Sequence, residues 1–117
     1  MIYRRKIKHG SQTGRKIGFP TLNFNVGTFE KNNKPGVYSC KVTIDEKSYG
    51  GALYFGKKMH QKNECLEVFV LDFSKQIYEK WITFEIIKYI REPMEFFDLN
   101  KLKSQIKKDL KTIDKRV

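Results

Sequence analysis

The sequence predicts a mainly β protein, a closed antiparallel barrel of short strands with one amphipathic helix packed on its side. Three observations carry this. Runs of alternating, β-branched or aromatic residues recur between turn signals, with Gly50 and Gly51 inside one of them as a bulge or a sharp barrel bend. A helical period appears only near the C-terminus. No β-α-β alternation occurs, which argues against a dinucleotide-binding sheet, and neither G-x-G-x-x-G nor G-x-x-x-x-G-K-[ST] is present.

Taken in order, "IYRRKIK" (2–8) alternates loosely and reads as a first strand. "HGSQTGRKIG" (9–18) holds three glycines and reads as a loop. "GRKIGFPTLNF" (14–24) carries that loop into a buried element. Gly18 and Pro20 disfavour a plain strand there, while Ile17, Phe19, Leu22 and Phe24 are out of place in a plain surface loop. "GVYSCKVTI" (36–44), "DE" and "KSYGGALYF" (47–55) read as a hairpin. "LEVFVLDF" (66–73) is a strand apolar on both faces apart from two carboxylates, of which Asp72 reads as a turn residue. "WITFEIIKYI" (81–90) is another strand; its alternation slips at Ile86-Ile87, and Pro93 ends the extended run. After Asp98, a good N-cap, the residues Leu99, Leu102, Ile106, Leu110 and Ile113 recur at spacings of 3, 4, 4 and 3, which predicts an amphipathic helix with a lysine-rich outer face.

The 117 residues suit a single domain with one core. A composition 39% hydrophobic and 14% aromatic is too rich for disorder. No apolar run reaches membrane-spanning length and the N-terminus has no signal-peptide core, so the cytoplasm is the expected compartment. Two cysteines make no disulfide framework, and Cys40 falls on the strand side of Tyr38, Val42 and Ile44 as a core thiol. The net charge of +11 is localised: residues 1–18 contribute +6, residues 100–117 contribute +5, and residues 19–99 sum to zero. Positive charge at both ends of the chain fits an anionic partner, a nucleotide or a nucleic acid, although the C-terminal lysines alone could serve solubility.

Three groups of residues could carry chemistry. Gly10, Gly14 and Gly18 recur every four residues with Thr13, Arg15 and Lys16 among them. Such glycines let backbone N–H groups approach a phosphate and the cations neutralise it, but a mobile basic loop would look the same. Thr21 and Asn23, one residue apart, point to the same side of an extended segment. Their oxygens are hard donors suited to Mg²⁺, and both types also satisfy backbone groups in turns. Glu67 shares a strand side with Phe69, Leu71 and Phe73, where a carboxylate must be paired, solvated at a cleft, or raised in pKa. It could take a proton from a hydroxyl, or it could be an edge-strand glutamate facing water. With two histidines, His9 and His60, no His/Cys metal cluster is available.

At this point the motifs "GSQTGRKIGFPTLN", "GVYSCKV", "LEVFVLDF" and "IREPMEFF…L…QIKKD" together resemble riboflavin kinase (flavokinase), from about Tyr3 to Asp109. The resemblance implies a six-stranded antiparallel Greek-key barrel with a C-terminal helix, and transfer of the ATP γ-phosphoryl group to the 5′-hydroxyl of riboflavin to give FMN. It implies a nucleotide-binding loop with Gly10, Gly14, Arg15, Gly18, Pro20 and Thr21, and a divalent ion, Mg²⁺ or another such as Zn²⁺, held by Thr21 and Asn23. Glu67 matches the family's catalytic base, and Arg91 and Phe96 match the flavin side. Such chemistry needs mainly positioning and charge neutralisation, which these residue types supply.

The sequence departs from the family pattern at three places. "YFGKKMH" (54–60) replaces an N-x-G-x-[RK]-P-T type segment, which changes the loop that the resemblance places on the nucleotide side; Phe69 stands where histidine or tyrosine is frequent, and Glu79 where glycine is usual. The expected partners are ATP and riboflavin, with a monomeric protein, no membrane and no nucleic acid. The alternatives are a catalytically weak flavin-binding relative and a small basic barrel that binds RNA. One barrel and one helix use up the chain, so no FAD-forming second activity is expected of it.

Overall fold

The computed structural model describes residues 1–8, 21–57, 62–73, 77–96 and 98–113. The loop expected over residues 9–18, with Gly10, Gly14, Arg15 and Gly18, lies outside the described residues, as do Pro20 and His60. Six strands are described: β1 (Ile2–Lys6), β2 (Leu22–Phe24), β3 (Gly36–Ile44), β4 (Lys47–Lys57), β5 (Glu64–Val70) and β6 (Trp81–Arg91). Two helices are described beside them, α1 (Phe29–Asn32) between β2 and β3 and α2 (Leu99–Lys111) after β6.

The strands form one antiparallel sheet in the order β1-β6-β3-β4-β5-β2. Strands β3, β4 and β5 follow one another as neighbours and β6 returns beside β3, which is the Greek-key order. The sheet curls into a half-barrel, and its first and last strands are joined beyond β1 by a bridge in which Lys8 N–H donates to the Asn23 carbonyl at 2.8 Å.

The β3–β4 hairpin turns on Asp45 and Glu46, both at positive φ (50° and 69°). That pair of left-handed residues twists with the strands in a two-residue turn. From there β3 and β4 pair without a break from Ile44–Lys47 to Gly36–Phe55. Gly50 and Gly51 therefore mark no bulge on that side. Gly51 is instead where β4 begins to pair with β5, opposite Val70. A Cβ there would stand 3.0 Å from Val42 Cγ2 and 3.1 Å from both Cys40 Sγ and Val68 Cγ1, so the barrel interior closes on the backbone at the bend. The irregularities lie in β6. Its pairing with β3 jumps between Cys40–Ile86 and Ser39–Lys88, and again between Tyr38–Tyr89 and Val37–Arg91. Ile87 is the extra residue in the first jump and is 54% exposed, which accounts for the slipped alternation at Ile86-Ile87.

The core is aromatic at one end and aliphatic at the other. Phe29, fully buried on α1, sits 5.0 Å from the Tyr3 and Phe55 rings and 6.2 Å from Tyr38. Sequence periodicity did not indicate α1, because four residues carry too little helical pattern. Cys40 is buried among Val42, Leu53 and Val68 as expected, and burial pushes its thiol up to about 12. Asp98 caps α2 by accepting from Asn100 N–H at 2.8 Å. Of the apolar stripe, Ile113 is buried and Leu102, Ile106 and Leu110 are half-buried. Leu99 departs from the expected buried face and is 53% exposed, since it stands in the first turn where the helix is only beginning. Asp72 takes a left-handed φ of 58°, in keeping with a turn residue. Glu79 does the same at 59° and its N–H donates to the Ile7 carbonyl at 2.8 Å, so a glutamate holds a conformation that glycine enters without strain.

Candidate active site

The site is built by register. Lys8 bridges to Asn23, Asn23 pairs with Glu67, Glu67 with Tyr54, Tyr54 with Val37, and Val37 with Arg91. One row of side chains thus crosses β2, β5, β4, β3 and β6. The core takes the alternate residues of these strands, namely Phe24, Leu66, Val68, Leu53, Phe55 and Tyr38. By the two-residue period the row faces the other way, on the outer side of the half-barrel.

Glu67 is the centre of this row. It lies on a strand flanked on both sides, between β4 and β2, so it is not an edge residue. It is only 8% exposed despite facing outward. A carboxylate so covered needs polar partners. Thr21 Oγ1 donates to Glu67 Oε2 at 3.4 Å, a long hydrogen bond across two segments 46 residues apart in sequence. Asn23 sits next along the same side and donates through Nδ2 to the Thr21 carbonyl at 3.3 Å. That bond fixes the carboxamide against the Thr21 backbone and leaves Oδ1 as the amide's metal-binding end. Thr21, Asn23 and Glu67, picked out separately in the sequence, are therefore brought together. A hydroxyl and a carboxamide oxygen side by side are hard-oxygen donors of the kind Mg²⁺ takes together with phosphate oxygens, and the carboxylate stands beside them.

Arg91 and Phe96 lie elsewhere. Arg91 ends β6, three strand spacings from Glu67, or about 14 Å along the sheet. Its guanidinium is engaged by α2: Nε donates to Asp109 Oδ1 at 3.0 Å and Nη2 to Asp109 Oδ2 at 2.9 Å. Gln105 Nε2 adds a bond to the same carboxylate at 3.0 Å. Nη1 donates to the Glu92 carbonyl at 3.0 Å. Phe96 is half-buried in the segment that leads to α2.

Two residues that hold groups named above, Asp109 at Arg91 and Tyr54 beside Glu67, were not singled out in the sequence. Asp109 is an acid in a helix whose outer face is rich in lysine. Its position three residues after Ile106 and seven after Leu102 places it on the apolar face, and an acid there signals a buried partner. Tyr54 was noted only as part of an atypical segment. Its position opposite Glu67 depends on the register of β4 with β5, which the intervening loop conceals. The Tyr54 hydroxyl donates to the Lys57 carbonyl at 2.5 Å. Burial first, then the negative groups Cys65 and Glu67, push its phenol up to about 12, with Arg91 opposing.

A sequence model described as "Flavokinase: Riboflavin kinase" matches residues 1–117. The chain is 36% identical over 113 residues to the RNA-binding riboflavin kinase RibR of Bacillus subtilis, covering 94% of this chain and 48% of that protein. It is 34% identical over 110 residues to the bifunctional riboflavin kinase/FMN adenylyltransferase of Haemophilus influenzae, covering 92% of this chain and 35% of that one. Among solved structures, the riboflavin kinase from Trypanosoma brucei superposes with a TM-score of 0.67 at 25% identity, over 95% of this chain and 75% of its own. The chain spans less than half the length of the curated relatives named here.

Proposed function

Because the chain belongs to the riboflavin kinase family, we propose that it transfers the γ-phosphoryl group of ATP to the 5′-hydroxyl of riboflavin, giving FMN and ADP. The observation that carries this reading is the convergence of Thr21, Asn23 and Glu67 on the outer side of the half-barrel, with the Thr21 hydroxyl 3.4 Å from the Glu67 carboxylate. Thr21 Oγ1 and Asn23 Oδ1 would hold a divalent ion, Mg²⁺ by the hardness of the donors, and that ion supplies charge neutralisation to the triphosphate.

In this reading Glu67 accepts the proton of the attacking hydroxyl as the oxygen–phosphorus bond forms and the bond to the ADP oxygen breaks. Its position on a doubly paired strand fixes its backbone, and the Thr21 hydroxyl orients its carboxylate. The basic segment with Gly10, Gly14, Arg15, Gly18 and Pro20 then serves the nucleotide phosphates. Arg91 and Phe96 belong to the flavin side, with Arg91 acting through the placement of α2.

We take residues 1–117 to act as one cytoplasmic, monomeric kinase domain. Nucleic acid is a weaker partner for this chain. Arg4 lies 4.5 Å over the Trp81 ring and Arg5 5.3 Å over Tyr3, so the N-terminal cations already stack on the aromatic faces that bases would need.

The test is FMN production from riboflavin, ATP and Mg²⁺ by wild type and Glu67→Gln. The glutamine keeps shape and loses the base, so kcat should fall by ~10²–10⁴ with the thermal transition unchanged. A variant with wild-type turnover removes Glu67 from the mechanism, and a wild type that makes no FMN removes the kinase reading.

A further inference from the structure

We infer that the open edge of β1 is a docking site for an acidic, extended segment of a partner protein, which joins the sheet there as an added strand. β1 stands first in the sheet and has β6 as its one neighbour. Hydrogen bonds fix which of its residues face β6. Ile86 N–H donates to the Met1 carbonyl at 3.2 Å, and Ile7 N–H to the Lys80 carbonyl at 2.9 Å. In an antiparallel pair the backbone groups of successive residues point alternately to the two sides. Met1, Tyr3, Arg5 and Ile7 therefore turn to β6, while Ile2, Arg4, Lys6 and Lys8 turn away from it. Of these last, Lys8 finds the Asn23 carbonyl at 2.8 Å. Among the described residues, no backbone group meets Ile2, Arg4 or Lys6 along that edge. The Arg4 carbonyl accepts from Arg5 Nη1 at 3.1 Å, in an exposed position. On the core side the seam is closed by side chains, with Asn33 Nδ2 donating to the Tyr3 hydroxyl at 2.7 Å.

An open edge is a template for any strand, and side-chain charge decides which strand it accepts. Ile2, Arg4 and Lys6 are exposed on the outer face of β1, and the strand carries no acid. Arg4 lies 4.5 Å over the ring of Trp81, which is 51% exposed and pairs with Lys6. Ile2, at the other end, is 65% exposed. The face beside the edge thus sets two cations between two exposed apolar groups, and arginine and tryptophan are residue types that anchor interfaces. A second copy of β1 does not fit here. Antiparallel pairing about Arg4 would set arginine against arginine and Ile2 against Lys6. A wholly apolar strand gains nothing from the cations. A strand with acids opposite Lys6 and Arg4 and an apolar residue opposite Ile2 gains on each pair. Running antiparallel to β1, it reads acid-x-acid-x-apolar. Ile2, Arg4 and Lys6 lie outside the row of Glu67, so this surface does not depend on the kinase reading.

Amide exchange followed by NMR on the 117-residue chain tests this. In the free protein the amides of Ile2, Arg4 and Lys6 should exchange about a hundredfold faster than those of Tyr3 and Arg5, which are bonded to β6. The probe is a peptide containing Glu-Thr-Glu-Thr-Val. At saturation it should slow exchange at Ile2, Arg4 and Lys6 about tenfold or more, and its binding should weaken as salt rises. The same peptide N-methylated on its glutamates and valine keeps the charge but loses the donors that would face β1. It should bind about tenfold more weakly. Arg4→Glu and Lys6→Glu, both at exposed positions, should each weaken the acidic peptide about tenfold and admit its counterpart Lys-Thr-Lys-Thr-Val. Slow exchange at Ile2, Arg4 and Lys6 in the free protein would mean that the chain itself covers the edge, and the proposal falls. Equal binding of the N-methylated peptide overturns it too, since charge alone would then be read. So does a failure of the acidic peptide to bind, or a uridine oligonucleotide that takes this face more tightly than the peptide does.

Discussion

Glu67 and Glu64 lie three residues apart on β5, and their surroundings give them opposite fates. Glu67 is covered and meets a hydroxyl; Glu64 is partly open and meets another acid. Burial first, then a shared hydrogen bond with Glu30 and repulsion from it, raise the Glu64 pKa, while Lys57 opposes. The sign follows from linkage. A folded-state pKa above the unfolded value means the folded protein holds that proton more tightly, so stability falls as pH rises through the interval between the two. Glu64→Gln, which cannot ionise, should therefore be more stable than wild type at pH 7 and lose that advantage in acid, below the carboxyl range. The pair is largely solvated, so the gain is small. Urea melts of both proteins at pH 7 and about pH 3, below the unfolded carboxyl pKa, decide it; a difference independent of pH would remove the carboxyl pair as its cause. Some of this was legible beforehand. The need for a partner at Glu67 follows from its apolar strand neighbours, but its pairing with Thr21 does not, since it depends on β2 lying beside β5, 46 residues away in sequence.

Among the elements, the hairpin and the helix were the most readable, because each is written in local chemistry. Periodicity and a turn set the bounds of β3 and β4, and a side-chain cap set the start of α2. The β6 bulges were visible only as a slipped alternation, and α1 was not visible at all. What holds α2 to the sheet was also hidden, since the stripe of leucines and isoleucines covers only part of its contacts. The Arg91–Asp109 pair does that work, with side chains 18% and 7% exposed and the carboxylate further satisfied by Gln105. Its removal from one side strands the other charge. Asp109→Ala should destabilise the protein by about 3–5 kcal/mol, the range for breaking a buried pair. Arg91→Met together with Asp109→Leu should recover much of that loss, because two apolar groups leave no charge buried. Chemical denaturation of the single and double variants checks this. A double variant as unstable as the single one would mean that packing volume, not charge, ties α2 to β6.

At the scale of the molecule, the fold spends its strands on one curled sheet with a single core inside and the candidate site outside. This arrangement suits one transfer reaction, since Glu67 is the buried carboxylate among the described residues that faces the Thr21–Asn23 donor set. A relative such as the Haemophilus influenzae protein is named for two activities, and this chain corresponds to 35% of its length. Adenylyl transfer to FMN would need a second nucleotide site with its own supporting core. The described residues form six strands and two helices around one core, and the outer row is already committed to Glu67 and its neighbours. A domain of this size does not divide into two cores. The 117-residue chain incubated with riboflavin, excess ATP and Mg²⁺ should therefore accumulate FMN and stop there. Separation of the flavins by chromatography over a time course reads the outcome directly. FAD appearing at a rate proportional to the concentration of this chain would show that the same face performs both transfers, and the one-reaction reading of the fold would fall.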